Sequence, residues 1–285
     1  MSQKPAHATG YGREQVERVR ATCLYLATKL GDLLDDMVIV GGLVPSLIIP
    51  QQGREAQELT RRHVGTLDLD CGLHIALLDT ERYEALCERL KRAGFGEAPN
   101  EKGNPTRFKW RIDADGTQVE VDFLIPPSLA EDKGGTLRQI KPELAAVITP
   151  GLELAFQDKL RVTIDGVTIK GEKARRELSV CGPGAFTVLK ALAVKGRGDN
   201  KDAYDLFYVL ANYGTGMPDV LARMRPLLPH ERAREALRIL RDDFLELDRI
   251  GPRRVAEFIT GGRDDAIQQD VVGQVALFLK GCDEP

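Results

Sequence analysis

The stretch Thr66–Asp70, which reads Thr-Leu-Asp-Leu-Asp, alternates apolar and acidic side chains. Successive side chains of a β-strand point to opposite faces, so the alternation predicts a strand that buries Leu67 and Leu69. Asp68 and Asp70 then share the other face, where two like charges repel each other unless a cation lies between them. The competing interpretation is an edge strand whose acidic face is simply hydrated.

An apolar run that ends in two glycines precedes this stretch. Residues 38–42 read Val-Ile-Val-Gly-Gly, which predicts a short buried strand followed by a sharp turn. At Gly41 and Gly42 the backbone N–H groups could approach a phosphate without interference from a Cβ atom, at the start of a short helix over residues 43–49. A glycine pair after a strand is more often purely structural, so this pattern alone says little about function.

A third stretch repeats the acidic alternation later in the chain. Residues 119–125 read Val-Glu-Val-Asp-Phe-Leu-Ile, which predicts another strand with acids on one face. If this strand lies beside the one that carries Asp68 and Asp70, it adds a third carboxylate to the same face. Asp122 is the expected residue because the apolar run begins there, and Glu120 is the reserve candidate.

Three carboxylates on one face are a ligand set suited to Mg²⁺, which prefers oxygen donors. The sequence therefore predicts a metal site of Asp68, Asp70 and Asp122, and such sites commonly hold two ions that catalyse phosphoryl transfer. The five cysteines form no CxxC-type pair and the four histidines form no HxxxH or HxH pair, so the sequence contains no zinc motif.

The rest of the chain divides into a mixed part and a helical part. Helices are predicted over 13–36 and 80–93, and hairpins over 108–125 and, around Asp165-Gly166, over 162–169. Helical periodicity dominates after Pro183. The sequence thus predicts an α+β fold, with a mixed β-sheet and flanking helices in an N-terminal domain (1–180) and a helical bundle in a C-terminal domain (181–285).

Composition indicates a globular protein outside the membrane. Apolar residues make up 42% of the chain and the net charge is −3, which gives no overall support to nucleic-acid binding. No stretch approaches the roughly 18 apolar residues that a membrane helix needs. The first residues lack the apolar segment of a secretory signal, so a cytoplasmic location is expected.

The order of the motifs resembles a known superfamily. A glycine pair, then Asp-x-Asp, then a single Asp on a later strand is similar to the pattern of the DNA polymerase β-type nucleotidyltransferases. Residues 190–206 also resemble the third motif of the AbiEii-type toxins, which are nucleotidyltransferase-like toxins of bacterial toxin–antitoxin and phage-defence systems. The five positions that match this motif are Lys190, Arg197, Lys201, Asp202 and Asp205.

The resemblance implies a Mg²⁺-dependent nucleotidyltransferase that moves a nucleoside monophosphate from an NTP to an acceptor. It assigns catalytic roles to Asp68, Asp70, Asp122, Lys190, Asp202 and Asp205. It assigns nucleotide binding to Gly41, Gly42, Thr66, Lys190, Arg197 and Lys201. One departure concerns the second motif, because the family's usual arginine position is Val64 here and Arg62 lies two residues earlier.

The resemblance also implies partners. In some members of the group the acceptor is the 3′ end of tRNA, and a separate antitoxin protein regulates the toxin. Short basic runs at 61–62, 173–176 and 253–254 offer places for RNA phosphates, although a hydrated surface is the simpler interpretation. Two alternatives remain open: a nucleotidyltransferase that modifies a small molecule such as an antibiotic, and an inactive nucleotidyltransferase fold that serves as an interaction module.

Overall fold

The chain forms two compact units in the computed structural model, which describes residues 5–50, 62–74, 80–99, 105–114, 116–141 and 144–284. The first unit comprises the described parts of 13–44 and 66–181, and the second those of 4–12, 45–65 and 182–285. The main division thus falls between Cys181 and Gly182, one residue from the predicted boundary. Two earlier stretches of chain join the helical unit, which the sequence did not predict.

Helices and strands are numbered here in chain order. The described residues form α1 (Arg13–Leu30), β1 (Met37–Val40), α2 (Val44–Ile48), β2 (Asp68–Leu73), α3 (Thr80–Arg92), β3 (Gly96–Pro99), β4 (Pro105–Ala114), β5 (Thr117–Ile125), β6 (Leu137–Lys141), β7 (Leu144–Ile148), α4 (Leu152–Gln157), β8 (Lys159–Val167), β9 (Lys173–Cys181), α5 (Pro183–Gly196), α6 (Asn200–Asn212), α7 (Met217–Met224), α8 (Glu231–Phe244), α9 (Ile250–Thr260) and α10 (Asp265–Asp283).

The first unit is built on a mixed β-sheet. Its strands follow the order β3-β4-β5-β2-β1-β9-β8, and the β6–β7 hairpin joins the end of β5 through β7. β2 runs parallel to β5 and antiparallel to β1, and β1 runs parallel to β9. This is the mixed sheet with flanking helices that the sequence predicts, so the predicted α+β class is confirmed.

The central strands separate an apolar face from a charged face. On β2 and β5 the alternate residues Leu69, Cys71, Val121 and Phe123 are fully buried. Burying one face of each strand in this way fixes the register, because a shift of one residue would bury the acids instead. Helix α1 packs against β2 and β5 and so contributes to this core.

One predicted hairpin is wrong. The Asp165-Gly166 pair does not form a turn: β8 runs through it to Val167, and Asp165 lies opposite Arg175 of β9. The chain reverses instead at 168–172, where the backbone N–H of Thr168 donates to the carbonyl of Glu172 over 2.8 Å. Gly171 at φ +80° supplies the left-handed conformation that this turn requires.

Other boundaries differ in detail from the prediction. Helix α1 ends at Leu30, because Gly31 takes a φ of +58° and the chain continues as a 3₁₀ helix to Asp36. The predicted hairpin over 108–125 is present as β4 and β5. The polar stretch 51–65, which punctuation by Gly53 predicts as a loop, lies outside the described residues up to position 61, and its described part, 62–65, forms no helix or strand.

The second unit is a helical bundle whose core is rich in aromatic side chains. Helix α6 packs against α5 and α9, and α10 packs against α9. Tyr204, Tyr208, Phe244, Phe258 and Phe278 are fully buried. Within the part of the chain that is described, no helix combines the length and the apolar character needed to cross a membrane.

Candidate metal centre

Parallel pairing of β2 with β5 brings three carboxylates together. The register places Asp70 directly opposite Asp122 and Asp68 opposite Glu120. One carboxylate oxygen from each of Asp68, Asp70 and Asp122 lies within 4.8 Å of the other two. The three residues that the sequence selects as metal ligands therefore form one cluster on the charged face of the sheet.

Neighbouring side chains hold two of the acids on this face. The Thr66 hydroxyl donates a hydrogen bond to Oδ1 of Asp68 over 2.7 Å, and both residues are buried. Thr66 therefore contacts a member of the triad. Glu120, the reserve candidate, instead accepts a hydrogen bond from Lys109 of β4 over 2.7 Å.

The glycine pair lies directly beside the triad. Gly41 has φ +70°, and a Cβ atom added there would overlap the carboxylate of Asp70. The position thus needs glycine for both its backbone conformation and the close approach of the acid. Gly41 and Gly42 begin a 3₁₀ turn, and the helix after it, α2, is only five residues long.

The clustering of charge changes the acidity of Asp122. Burial and the negative charge of Asp70 raise the pKa of Asp122 to about 7, although Lys109 opposes the shift. The Oδ1 atom of Asp122 is buried and accepts no hydrogen bond from any described residue. A carboxylate in this state gains from a positive ion beside it.

The three residues fit a divalent ion. The donor set consists only of carboxylate oxygens, which suits Mg²⁺ or Mn²⁺ better than a softer metal. An ion among them would satisfy the buried oxygen of Asp122 and remove the repulsion between Asp70 and Asp122. Asp68, Asp70 and Asp122 are the residues that would hold it.

A second polar cluster lies inside the helical unit. The Nζ atom of Lys190 on α5 lies 2.8 Å from Oδ1 of Asp202 and 2.7 Å from Oδ2 of Asp205, both on α6. The Nζ atom of Lys201 contacts both oxygens of Asp205, at 2.7 and 2.9 Å, as residues four apart on one helix can. Arg197 donates two hydrogen bonds to Asp202. All five positions of the AbiEii-like motif therefore belong to one connected set of ion pairs.

Opposite charges outweigh burial for the acids of this cluster. Burial alone would raise the pKa of Asp202 and of Asp205. The charges of Lys190 and Arg197 instead lower the pKa of Asp202 well below the ordinary value of 3.8. The charges of Lys190 and Lys201 do the same for Asp205. Burial would lower the pKa of Lys190, but the charges of Asp202 and Asp205 raise it above its ordinary value. For Lys201, burial and the nearby charge of Lys190 leave the pKa lowered.

A histidine that the sequence analysis did not select completes the cluster. His63 is fully buried, and its Nε2 atom lies 2.8 Å from Oδ1 of Asp205. Its Nδ1 atom accepts the backbone N–H of Gly65 over 3.0 Å, which leaves Nε2 as the protonated nitrogen that donates to Asp205. Burial lowers the pKa of His63 to about 4 although Asp205 raises it. No local pattern marks His63, because its partner lies 142 residues away.

Lys109 is the other residue that the sequence analysis missed. It lies opposite Asp122 on β4, with Arg111 opposite Glu120. Basic residues at 107, 109 and 111 alternate with apolar or aromatic ones, and this spacing could have marked β4 as a basic strand beside an acidic one.

Models of known protein families give no match to this chain, and a search of curated proteins finds no similar sequence.

Proposed function

We propose that the protein is a Mg²⁺-dependent nucleotidyltransferase that moves a nucleoside monophosphate from an NTP to an acceptor. The observation that carries the proposal is the convergence of Asp68, Asp70 and Asp122 on one sheet face. Two sequence features favour nucleotide transfer over metal binding alone: the order of these acids after the glycine pair at 41–42, and the similarity of residues 190–206 to the AbiEii-type motif.

In this proposal the residues of the first unit bind the metal ions and shape the site around them. Asp68, Asp70 and Asp122 hold the divalent ions, and Thr66 orients Asp68 through its hydroxyl. Gly41 leaves room for Asp70. When bound, two divalent ions neutralise the charge of the triphosphate and activate the attacking hydroxyl.

The acceptor and the regulator come from the resemblance. We propose the 3′ end of tRNA as the acceptor, and a separate antitoxin protein as the partner that controls activity. Lys190, Arg197 and Lys201 would bind the nucleotide, and Asp202 and Asp205 would orient these cations through the contacts described above.

The test is transfer of label from each α-³²P NTP to total tRNA by the purified protein in the presence of Mg²⁺. We expect one NTP to label the tRNA. Asp68→Ala should reduce the rate by at least about 100-fold, since charge stabilisation at the reacting phosphate is lost. Asp165→Asn, which changes an exposed strand carboxylate of the same unit, is the matched control and should keep the full rate.

Three other outcomes would redirect the proposal. If the protein binds Mg²⁺ and NTP but does not label tRNA, the proposed acceptor becomes a small molecule. A folded protein that binds no NTP would indicate an interaction module. Transfer that survives Asp68→Ala would rule out the triad as the metal site.

A further inference from the structure

A lysine on the neighbouring strand shares the charged face with the triad. Lys109 of β4 lies directly opposite Asp122 of β5, and only 15% of its side chain is exposed. Its Nζ atom lies 2.7 Å from Oε2 of Glu120 and 3.7 Å from Oδ1 of Asp122. A fixed positive charge is therefore held beside an oxygen that a metal ion would use.

Glu120 determines where this charge sits. Glu120 and Asp122 are two residues apart on the same face of β5, and Lys109 lies between their carboxylates. The ammonium makes a short hydrogen bond with Glu120 and only a longer ion pair with Asp122. Glu120 thus keeps Lys109 from moving fully onto Asp122, and Asp122 Oδ1 keeps no hydrogen bond among the described residues.

We propose that Lys109 competes with the divalent ion for Asp122, and that Glu120 keeps this competition weak by holding the lysine. Lys109 and Glu120 together then set the affinity of the triad for a bare metal ion. The inference rests on the proposed function, because it takes Asp68, Asp70 and Asp122 as metal ligands.

The expected effects follow from charge and distance. A single positive charge near a divalent ion repels it, and solvent screens the repulsion because the site is partly exposed. Removing the lysine charge should therefore tighten binding of the bare ion by about three- to tenfold. Removing the charge of Glu120 should weaken binding, both directly and by releasing Lys109 towards Asp122.

The experiment measures the Kd of Mn²⁺, a paramagnetic substitute for Mg²⁺, on the full-length protein without nucleotide at pH 8. Calorimetric titration and the electron paramagnetic resonance signal of free Mn²⁺ give independent values. The variants are Lys109→Met, Lys109→Arg, Glu120→Gln and the Lys109→Met/Glu120→Gln double variant. Circular dichroism confirms that each variant is folded.

The matched control is Arg111→Met. Arg111 lies two residues from Lys109 on the same strand face, and its guanidinium donates to Gln118 over 3.1 Å. Arg111 carries the same charge as Lys109, and no interaction recorded for the described residues joins Arg111 to Asp122. We expect its removal to change the Kd by less than about twofold.

Support requires that Lys109→Met tightens Mn²⁺ binding, that Lys109→Arg does not, and that Glu120→Gln weakens binding more in the wild type than in the Lys109→Met background. Weaker or unchanged binding by Lys109→Met would overturn the inference, since the lysine would then position the site or have no effect on it. Equal tightening by Arg111→Met would overturn it too, because the effect would be one of general charge. A wild-type protein that binds no Mn²⁺ would overturn the proposed function together with this inference.

Discussion

At the residue scale, Asp122 is a carboxylate whose charge opposes folding when no ion is bound. Its pKa is raised to about 7, above the ordinary value of 3.8, by burial and by Asp70. Stability from this group is therefore fully present below pH 3.8 and is lost as the pH rises through 7. The proposed ligand role would account for such a group in the fold, because a bound cation would favour the charged form of Asp122 and make it stabilising.

We expect Asp122→Asn to stabilise the metal-free protein at pH 8 by roughly 1–3 kcal/mol and to have little effect near pH 4. Added Mg²⁺ should stabilise the wild type and leave the variant unchanged, since only the wild type keeps the full ligand set. Urea unfolding at both pH values, with and without Mg²⁺, checks this. A variant that is less stable than the wild type at pH 8 without metal would contradict it.

His63 predicts a second pH effect, of the opposite sign. Burial lowers its pKa to about 4, so the folded state keeps the ring neutral while the unfolded chain takes up a proton below about 6.5. Stability from His63 is present above pH 6.5 and is lost as the pH falls to 4, by roughly 3 kcal/mol.

The matching variant is His63→Gln, which keeps an N–H donor for Asp205 but does not titrate. We expect the wild type to lose stability between pH 6.5 and 4 more steeply than this variant, although the variant is less stable at pH 7 because it lacks the ring that stacks on Tyr204. The urea midpoint measured across this pH range distinguishes them. Parallel pH profiles would show that His63 is not the titrating group.

At the element scale, α6 carries three members of the ion-pair cluster, Lys201, Asp202 and Asp205, so its start must be well defined. Asp199 caps this helix by accepting the backbone N–H of Lys201 over 3.0 Å. Asp199→Ala should cost about 1 kcal/mol of unfolding free energy, and Asp199→Ser should retain most of it. Thermal unfolding of the three proteins gives the comparison, and an Asp199→Ala melting temperature equal to that of the wild type would contradict the capping role.

The strands of the site could be predicted because their alternation is local. β2 and β5 each carry apolar residues on one side and acids on the other, which the sequence displays directly. The sequence does not predict that these two strands are parallel neighbours with Asp70 opposite Asp122; the metal site was predicted on the condition that they are. Strand pairing depends on contacts between residues that lie far apart in the sequence.

The β8–β9 hairpin shows how a local pattern can mislead. Asp165-Gly166 has the composition of a two-residue turn, but the long strand pairing with β9 continues through it and Gly166 takes φ +142° within the strand. Lys109 and His63 were missed for a related reason. Their partners lie across the sheet or in a distant helix. The alternating basic residues of β4 mark a charged face of that strand, but no spacing along the chain identifies the partner of Lys109 or of His63.

At the scale of the whole molecule, the chain passes between its two units at 12–13, 44–45, 65–66 and 181–182. The helical unit is therefore not a simple C-terminal domain. Tyr11 packs its ring against Phe258 at 5.7 Å, and His63 bonds to Asp205, so two short segments from the first quarter of the chain complete its core.

This arrangement predicts that residues 182–285 will not fold as a stable domain by themselves. Without His63, the buried Asp205 loses a hydrogen-bond donor, and without Tyr11 an aromatic surface of Phe258 is exposed to water. Losing a hydrogen bond to a buried carboxylate costs about 1.5–3 kcal/mol, which is a substantial part of the stability of a small domain. Near-ultraviolet circular dichroism and thermal unfolding of the fragment should show weak tertiary packing and no sharp transition. A cooperative transition with native-like near-ultraviolet signal would mean that α5 to α10 form a sufficient core, and that the segments at 5–12 and 62–65 only dock onto it.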